Sequence, residues 1–334
     1  MKILVTGCAG FIGFHFSRLC LYKDISVIGV DNINDYYDPS LKNSRLQILE
    51  EYKKFKFIKA DISDSNFLEY FPQSKYTKII IVHLAAQAGV RFSIDSPNSY
   101  TKSNLVGFAN ILELSRRLNS RLVYASTSSV YGLNTNLPFS EKHIADHPIQ
   151  YYAATKRSNE IMAHSYSHMY ELEMIGLRFF TVYGPWGRPD MALFKFTKNI
   201  LEDKPIDVFN NGNHIRDFTY IDDITMGIFL AVNYEFDNEP FDTADPLPNN
   251  GISKFKIYNL GNNSPVRLMD YIKKIEQELD KNAKVNFYPL QQGDVIETRS
   301  DITQAIKELG YNPVHNIDYG IKQFVNWYKE YYEK

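Results

Sequence analysis

The sequence predicts an α/β fold, a doubly wound parallel sheet that carries a smaller mixed α/β substrate-binding lobe. Three observations carry that prediction. Short runs that are apolar nearly throughout alternate with longer helical patterns, as strands covered by helices on both faces require. The first of these runs leads directly into three glycines that open a helix. Beyond about residue 181 the texture shifts to more Pro, Asn and Asp, with fewer buried-strand runs.

The strand runs, in order, are "KILVTG", "ISVIGVD", "KFIKAD", "IIIVHLA", "RLVYAS" and "EMIGLRFF". Strands alternating with helices imply βαβ units and a parallel sheet. The helices between them are expected in "GFIGFHFSRLCLYK", "SYTKSNLVGFANILELSRRLN" and "YYAATKRSNEIMAHSYSHMYE". In the second of these, Leu105, Ala109, Leu112 and Arg116 form a mixed face that is either core or a subunit contact. Later, "NEPFDTADPLPNNGIS" is a polar loop by composition, and "KIYNLGN" is a further strand that can rejoin the sheet.

A chain of 334 residues suffices for one large domain or two modest ones. Lys and Arg number 37 against 39 Asp and Glu, so no whole-protein field favours nucleic acid or an anionic membrane. A small-molecule partner is expected. Cys8 and Cys20 are too few, and too close together near the amino terminus, for a disulfide framework. The opening "MKILVTGCAGFIGFHFS" lacks a basic leader and is broken by three glycines, so it reads as fold and not as a signal peptide. No apolar run approaches the roughly 20 residues of a membrane helix. Cytoplasmic placement is the expectation.

"VTGCAGFIG" places Gly7, Gly10 and Gly13 between a strand and a helix, with Phe11 and Ile12 inside the loop. Glycines let a backbone turn tightly against a pyrophosphate, whose charge meets free N–H groups at the helix's positive end. This is a Rossmann-type context. The second strand ends at Asp31, followed by Asn32, where a carboxylate accepts from ribose hydroxyls and repels a 2′-phosphate. That favours NAD over NADP. Asp61 and Ile62 close the third strand and lie near the adenine, unless Asp61 only caps the following turn. Leu84, Ala85 and Ala86 continue the fourth strand toward the same cofactor.

Tyr152 and Lys156 stand four apart, so on a helix they share one face. Beside a bound nicotinamide, that pair has a use. Removing a hydroxyl proton while hydride leaves the carbon needs a base tuned toward neutral pH. Lowering a tyrosine from near 10 to about 7 takes roughly 4 kcal/mol of preferential phenolate stabilisation, which an ammonium and an oxidised nicotinamide together can supply. Ser126, Thr127, Ser128 and Ser129 form a hydroxyl cluster at the end of the fifth strand, where ligands sit in such sheets, or else they cap a loop.

The glycine loop, "HLAAQAGVR", "STSSVYG", "YYAATK" and "RFFTVYGPWGRPDMALFKF" together resemble the extended short-chain dehydrogenase/reductase family of nucleotide-sugar enzymes over nearly the whole chain. Within that family, "DNINDYYDPSLK" and "GRPDMALFKF" resemble the UDP-glucuronate 4-epimerases, including the capsule-biosynthesis type. The resemblance implies that Tyr152 is the base, that Lys156 lowers its pKa and binds nicotinamide ribose, and that Thr127 takes the family's Ser/Thr position. It implies hydride transfer from sugar C4 to NAD, rotation of the 4-keto sugar and return of hydride to the opposite face. Residues 1–181 are then the NAD-binding domain, with returns near 215–235 and 255–261, and 182–334 are mainly the nucleotide-sugar lobe. A homodimer through helices matching residues 99–118 and 151–171 is also implied.

Related dehydratases and decarboxylases carry carboxylates just after the catalytic Thr, where this chain has Ser128 and Ser129. Without an acid there, elimination lacks its catalyst and epimerisation is favoured. A 4-keto uronate loses CO₂ when its carboxylate aligns with the ketone, so that carboxylate must be restrained. Arg188, with Thr181, Ser128 and Thr127, is the candidate cradle; the bland reading of Arg188 is a surface-loop arginine. Arg216 is a candidate for the UDP diphosphate, with Asp217 and Asp222 orienting it or capping the next helix. Arg91 is a second phosphate or uronate candidate, and Asp294 matches the family's acid at the nucleotide ribose. Where many relatives read "TYAD" or "TWAD", this chain has "TRSD" with Arg299 and Ser300, which leaves the local packing open. His15 and His83 read as structural, and no metal-ligand spacing is present. The rivals are a neutral-sugar UDP-glucose or UDP-N-acetylglucosamine 4-epimerase, a decarboxylase or dehydratase of the same fold, and a non-catalytic dinucleotide-binding protein.

Overall fold

The computed structural model describes residues 1–76, 78–236, 247–251, 253–291 and 293–332. The polar loop expected in "NEPFDTADPLPNNGIS" lies for the most part outside the described residues. Strands β1 (Lys2–Thr6), β2 (Ser26–Asp31), β3 (Phe55–Lys59), β4 (Ile79–His83), β5 (Leu122–Thr127), β6 (Met174–Phe179), β7 (Thr181–Tyr183), β8 (Ile206–Val208), β9 (Ile215–Tyr220), β10 (Phe255–Leu260), β11 (Pro265–Arg267) and β12 (Val285–Phe287) follow in chain order. Seven of them form one parallel sheet in the order β10-β6-β5-β4-β1-β2-β3. The doubly wound architecture expected from the strand pattern is thus present. Its winding reverses between β1 and β4, and such a switch point opens a crevice at the strands' carboxyl ends.

Alternate residues along each strand feed two separate cores, which is why the strands read as continuous apolar runs. Ile3 and Val5 of β1 join Phe14, Phe16 and Cys20 of helix α1 (Phe11–Tyr22) on one face. Leu4 joins the opposite face, where Phe108, Ile111 and Leu112 pack beneath the sheet. On the first face also lie α2 (Pro39–Glu50), begun by Pro39 and capped by Asp38 accepting from Ser40 N at 2.9 Å. This capping holds the segment after β2 in a fixed turn.

The helix expected over 99–119 is divided. Two short helices, α3 (Phe92–Asp95) and α4 (Pro97–Tyr100), lead into a π-helical stretch at Thr101–Val106 before α5 (Gly107–Leu118). The cause is Asn104, whose side chain is spent on tertiary contacts. It accepts from Gln87 N at 2.8 Å and donates to Gln87 O at 3.1 Å and Thr155 Oγ1 at 3.0 Å. Its own carbonyl accepts from Asn159 Nδ2 at 2.7 Å. A backbone group drawn to another helix opens the local ladder. Helix α6 (Tyr151–Tyr170), which supplies Thr155 and Asn159, is thereby locked to the loop after β4.

The remaining strands make a three-stranded sheet, β11-β9-β7, and a parallel pair, β12-β8. Helices α7 (Ala192–Leu201), α8 (Ile221–Val232), α9 (Leu268–Leu279), α10 (Thr303–Leu309) and α11 (Ile317–Tyr332) complete the chain. Among the described residues no helix is long and apolar enough to cross a membrane.

Candidate active site

A cavity of about 390 Å³ opens at the carboxyl ends of the central strands. Gly7, Gly10, Phe11, Ile12 and Gly13 line it from the β1–α1 loop, and Asp31, Asn32, Asp61 and Ile62 from the ends of β2 and β3. Leu84, Ala85 and Ala86 follow β4, Thr127, Ser128 and Ser129 follow β5, and Thr181 and Arg188 lie beyond β6. Tyr152 and Lys156 enter from the first turns of α6. The structure therefore gathers these sequence-nominated residues, and Ser126 with them, around one cavity.

The glycine loop has the shape a pyrophosphate requires. Gly7 sits at φ +74, and a Cβ there would lie 2.7 Å from Ala85 N. A Cβ on Gly13 would lie 2.0 Å from the Gly7 carbonyl oxygen, so the helix approaches the loop too closely for any side chain. The amino terminus of α1 has no side-chain cap, and its first N–H groups are left for a ligand. Asp31 is oriented by Ala9 N at 3.1 Å and Ile33 N at 2.9 Å, and burial raises its pKa against those bonds. Asp61 follows β3. It lines the cavity and accepts from Ser63 N at 2.9 Å and from Asn32 Nδ2 at 3.1 Å.

At the other end, burial raises the Tyr152 phenol, while the Arg188 guanidinium and a hydrogen bond with Thr127 pull it down. The Arg188 guanidinium is thus one cation that acts on the phenol, and Lys156 lines the same cavity. Lys156 is 2 % exposed, and burial lowers its pKa to about 8 against the opposing charge of Glu160, one turn further along α6. Its ammonium also acts on buried His83, which bonds Thr6 Oγ1 at 2.8 Å. Thr127 Oγ1 accepts from Ser129 N at 3.2 Å and lies within 3.2 Å of Ser129 Oγ, so the hydroxyl cluster is a connected edge.

Three nominated residues do not line this cavity. Arg91 lies with its guanidinium 4.6 Å over the Phe209 ring, which stacks on Tyr288. Arg216 spends its donors on its own chain, at Ile215 O (3.0 Å), Ile296 O (2.8 Å) and Val295 O. Asp294 is beside it, 3.5 Å from Nη2. Asp217 does not orient Arg216. It is fully buried and accepts from Asn262 N at 3.0 Å, Asn263 N at 3.1 Å and Ser300 N at 2.9 Å, which settles the packing of the unusual "TRSD" segment. Asp222 stands in the first turn of α8, next to Asp223.

Sequence reasoning missed Asn34, Tyr36, Tyr37, Lys42, Gln87, Ser103 and Met191 on the cavity wall. Four of these lie in or beside "DNINDYYDPSLK", whose spacing alone places none of them near Arg188. Also missed was the buried pair beneath Lys156. Glu160 accepts from Arg178 Nε and Nη2, both at 2.9 Å, from Arg157 Nη1 at 2.9 Å and from Ser126 Oγ at 2.6 Å.

Residues 3–243 match the model of the NAD-dependent epimerase/dehydratase family. The chain belongs to that family. It is 51% identical to Protein CapI of Staphylococcus aureus over 340 residues, covering 100% of both chains. It is 47% identical to UDP-glucuronate 4-epimerase 4 of Arabidopsis thaliana, covering 99% of this chain and 76% of that one. Among solved structures it resembles the UDP-glucuronic acid 4-epimerase of Bacillus cereus in complex with UDP-glucuronic acid and NAD, with a TM-score of 0.88 at 33% identity over 99% and 100% of the two chains. The family assignment agrees with the cavity's glycine loop, acid-ended second strand and Tyr-Lys helix turn.

Proposed function

We propose that the protein interconverts UDP-glucuronate and UDP-galacturonate by NAD-dependent 4-epimerisation. The observation that carries this reading is the placing of Tyr152, Thr127 and Arg188 around one end of a cavity whose other end is the glycine loop. NAD⁺ held by the glycine loop, Asp31 and Lys156 would supply the acceptor and donor of the sugar C4 hydride.

The protein's own part is to bind, orient and move a proton. Gly7 and Gly13 hold the loop open to the pyrophosphate, and Asp31 receives the adenosine ribose. Tyr152 takes the C4 hydroxyl proton and gives it back, with Thr127 keeping the phenol and the sugar oxygen in one hydrogen-bonded line. Lys156, an ammonium at neutral pH, holds the nicotinamide ribose, and Glu160 keeps it charged. Ser128 and Ser129 offer hydroxyls but no general acid, so water is not eliminated. Arg188 holds the uronate carboxylate out of line with the C4 ketone and suppresses decarboxylation, with Thr181 beside it.

Residues 1–181, with returns near 215–235 and 255–261, form the NAD-binding domain in this reading, and 182–334 mainly the nucleotide-sugar lobe. Arg216, Asp294 and Arg91 serve the UDP end, and the pairing of Arg216 with Asp294 at 3.5 Å supports their sharing one ligand. The product feeds surface-polysaccharide precursor synthesis in the cytoplasm, a setting that the two free cysteines fit. The protein pairs through the helices at 99–118 and 151–171. Exposed Val106, Tyr151, Ile161 and Met169 on that face support the pairing. Sedimentation at micromolar concentration gives a dimer, and a monomer removes that part.

Proton NMR of UDP-glucuronate incubated with the enzyme and NAD⁺ tests the reaction. UDP-galacturonate is expected to grow toward equilibrium. Conversion of UDP-glucose with UDP-glucuronate left intact would replace the uronate by a neutral sugar, and a UDP-pentose as sole product would make the protein a decarboxylase.

A further inference from the structure

The loop that carries Arg188 is held to the cofactor half of the molecule at three successive carbonyls. His15 of α1 donates through Nε2 to Pro185 O at 2.9 Å, and Arg45 of α2 donates through Nη2 to Trp186 O at 2.6 Å and to Gly187 O at 3.4 Å. Through Nη1, Arg45 also donates to Ala9 O of the glycine loop at 2.9 Å, and Ala9 N in turn donates to Asp31. One guanidinium thus spans the glycine loop and the turn just before Arg188. Beyond that turn, Asp190 accepts from Arg188 Nε at 2.9 Å and from Tyr36 O–H at 3.3 Å, so the head of Arg188 is steadied and the turn decides where its backbone stands.

Two features set Arg45 apart from an ordinary buried arginine. It is fully buried, yet among the described residues every acceptor it uses is a neutral oxygen, Tyr37 Oη at 2.7 Å being the fourth. Arg178, equally buried, is matched by the carboxylate of Glu160. A cation is costly to bury without an anion, so one spent on the carbonyls of two loops is there to hold those loops. The second feature is the turn itself. Trp186 sits at φ +59, a left-handed conformation that is strained for a non-glycine residue and persists only where neighbours hold it. Its ring packs on Phe14 at 5.5 Å and on Trp327 at 5.3 Å, and its carbonyl is held by Arg45. Released, the turn relaxes and the direction in which Arg188 leaves it changes. We propose that Arg45 and His15 are positioning residues, which hold the turn at 185–187 against the cofactor loop and so aim Arg188 at the uronate. The inference rests on the reading that Arg188 meets the uronate.

The test uses the full chain with Arg45→Lys, His15→Leu, His15→Gln and Arg188→Ala, read as KM for UDP-glucuronate beside Ki for UDP, a competitor that lacks the uronate. Arg45→Lys keeps the charge and loses the planar fork that spans the two loops. It is expected to raise KM about tenfold, the worth of one misplaced charge-assisted bond, and to leave Ki for UDP within about twofold. His15→Leu is expected to raise KM about threefold with the same split, and His15→Gln, whose amide N–H can serve Pro185 O, to restore it. KM and Ki rising together would mean a general loosening of the substrate lobe, and both unchanged would mean that the turn stands by itself; either result overturns the proposal. Should Arg45→Lys not fold, judged by circular dichroism and retained NAD, the His15 pair decides alone: leucine without the split, or glutamine no better than leucine, overturns it. If Arg188→Ala leaves KM for UDP-glucuronate unchanged, the underlying reading of Arg188 fails and the inference with it. If it raises KM while the Arg45 and His15 variants behave as wild type, only the inference fails.

Discussion

Glu160→Gln is expected to destabilise the protein by about 3 kcal/mol, within the range for removing one partner of a buried ion pair. The side chains of Glu160 and Arg178 are both 0% exposed, and the carboxylate accepts two bonds from Arg178, one from Arg157 and one from Ser126. Glutamine preserves the volume and one acceptor. Its amide N–H₂ faces a guanidinium donor, and Arg178 loses its paired carboxylate. The Tyr131 ring, 4.7 Å from the Arg178 guanidinium, offsets about 1 kcal/mol of that cost and places the figure at the lower end of the range. Urea denaturation reads it directly. With a slope of about 3 kcal/mol/M, the midpoint falls by about 1 M. The double variant with Arg178→Met removes both charges and is expected to regain about half of the loss.

Mutual attraction holds Glu160 below the usual carboxylate range in spite of burial. Its stabilisation is therefore present above the unfolded pKa and lost as pH falls through the depressed folded value, so the gap between wild type and variant closes in acid. The same substitution removes the charge that keeps Lys156 protonated, and the alkaline limb of activity moves to lower pH by about one unit. A variant within about 1 kcal/mol of wild type near neutral pH, with an unmoved limb, would show that neither Arg178 nor Lys156 depends on this carboxylate.

Tyr152→Phe is expected to lower kcat at least about a thousandfold while NAD stays bound, checked by turnover alongside cofactor content after denaturation. Gly13→Ala sets a methyl 2.0 Å from the Gly7 carbonyl oxygen and is expected to weaken NAD binding at least tenfold or to destabilise the fold by about 3 kcal/mol, as calorimetry with and without NAD reads. Ser300→Ala removes one of the four donors to buried Asp217 and is expected to cost about 1.5 kcal/mol in urea without altering KM.

The parts of the fold and site legible in the sequence are those set by local pattern. Ile3, Leu4 and Val5 face two cores in turn, so β1 reads as an unbroken apolar run whatever its neighbours are. Gly7 and Gly13 are demanded by backbone crowding within one loop, and Tyr152 and Lys156 by one helical turn. What the sequence hides depends on charges and amides brought from far along the chain. Asn104 splits a helix because Gln87 and Asn159 are waiting for it, and no periodicity in 99–119 records that. Asp190 and Tyr36 are 154 positions apart. Arg216 has the residue type that diphosphate recognition favours, and no local pattern records that it also donates to the carbonyls of Val295 and Ile296. Glu160 reads as a solvent-facing acid with Arg157 at i−3, until β6 delivers Arg178 beneath it. Spacing brings a lysine to the phenol's helix face, and the fold adds a second cation that no spacing records. The charge of Glu160 acts on Lys156, and that of Arg188 acts on the phenol from the loop after β7. Residue type and spacing can thus nominate the group that moves the proton. Which charge tunes it is a property of the packed structure.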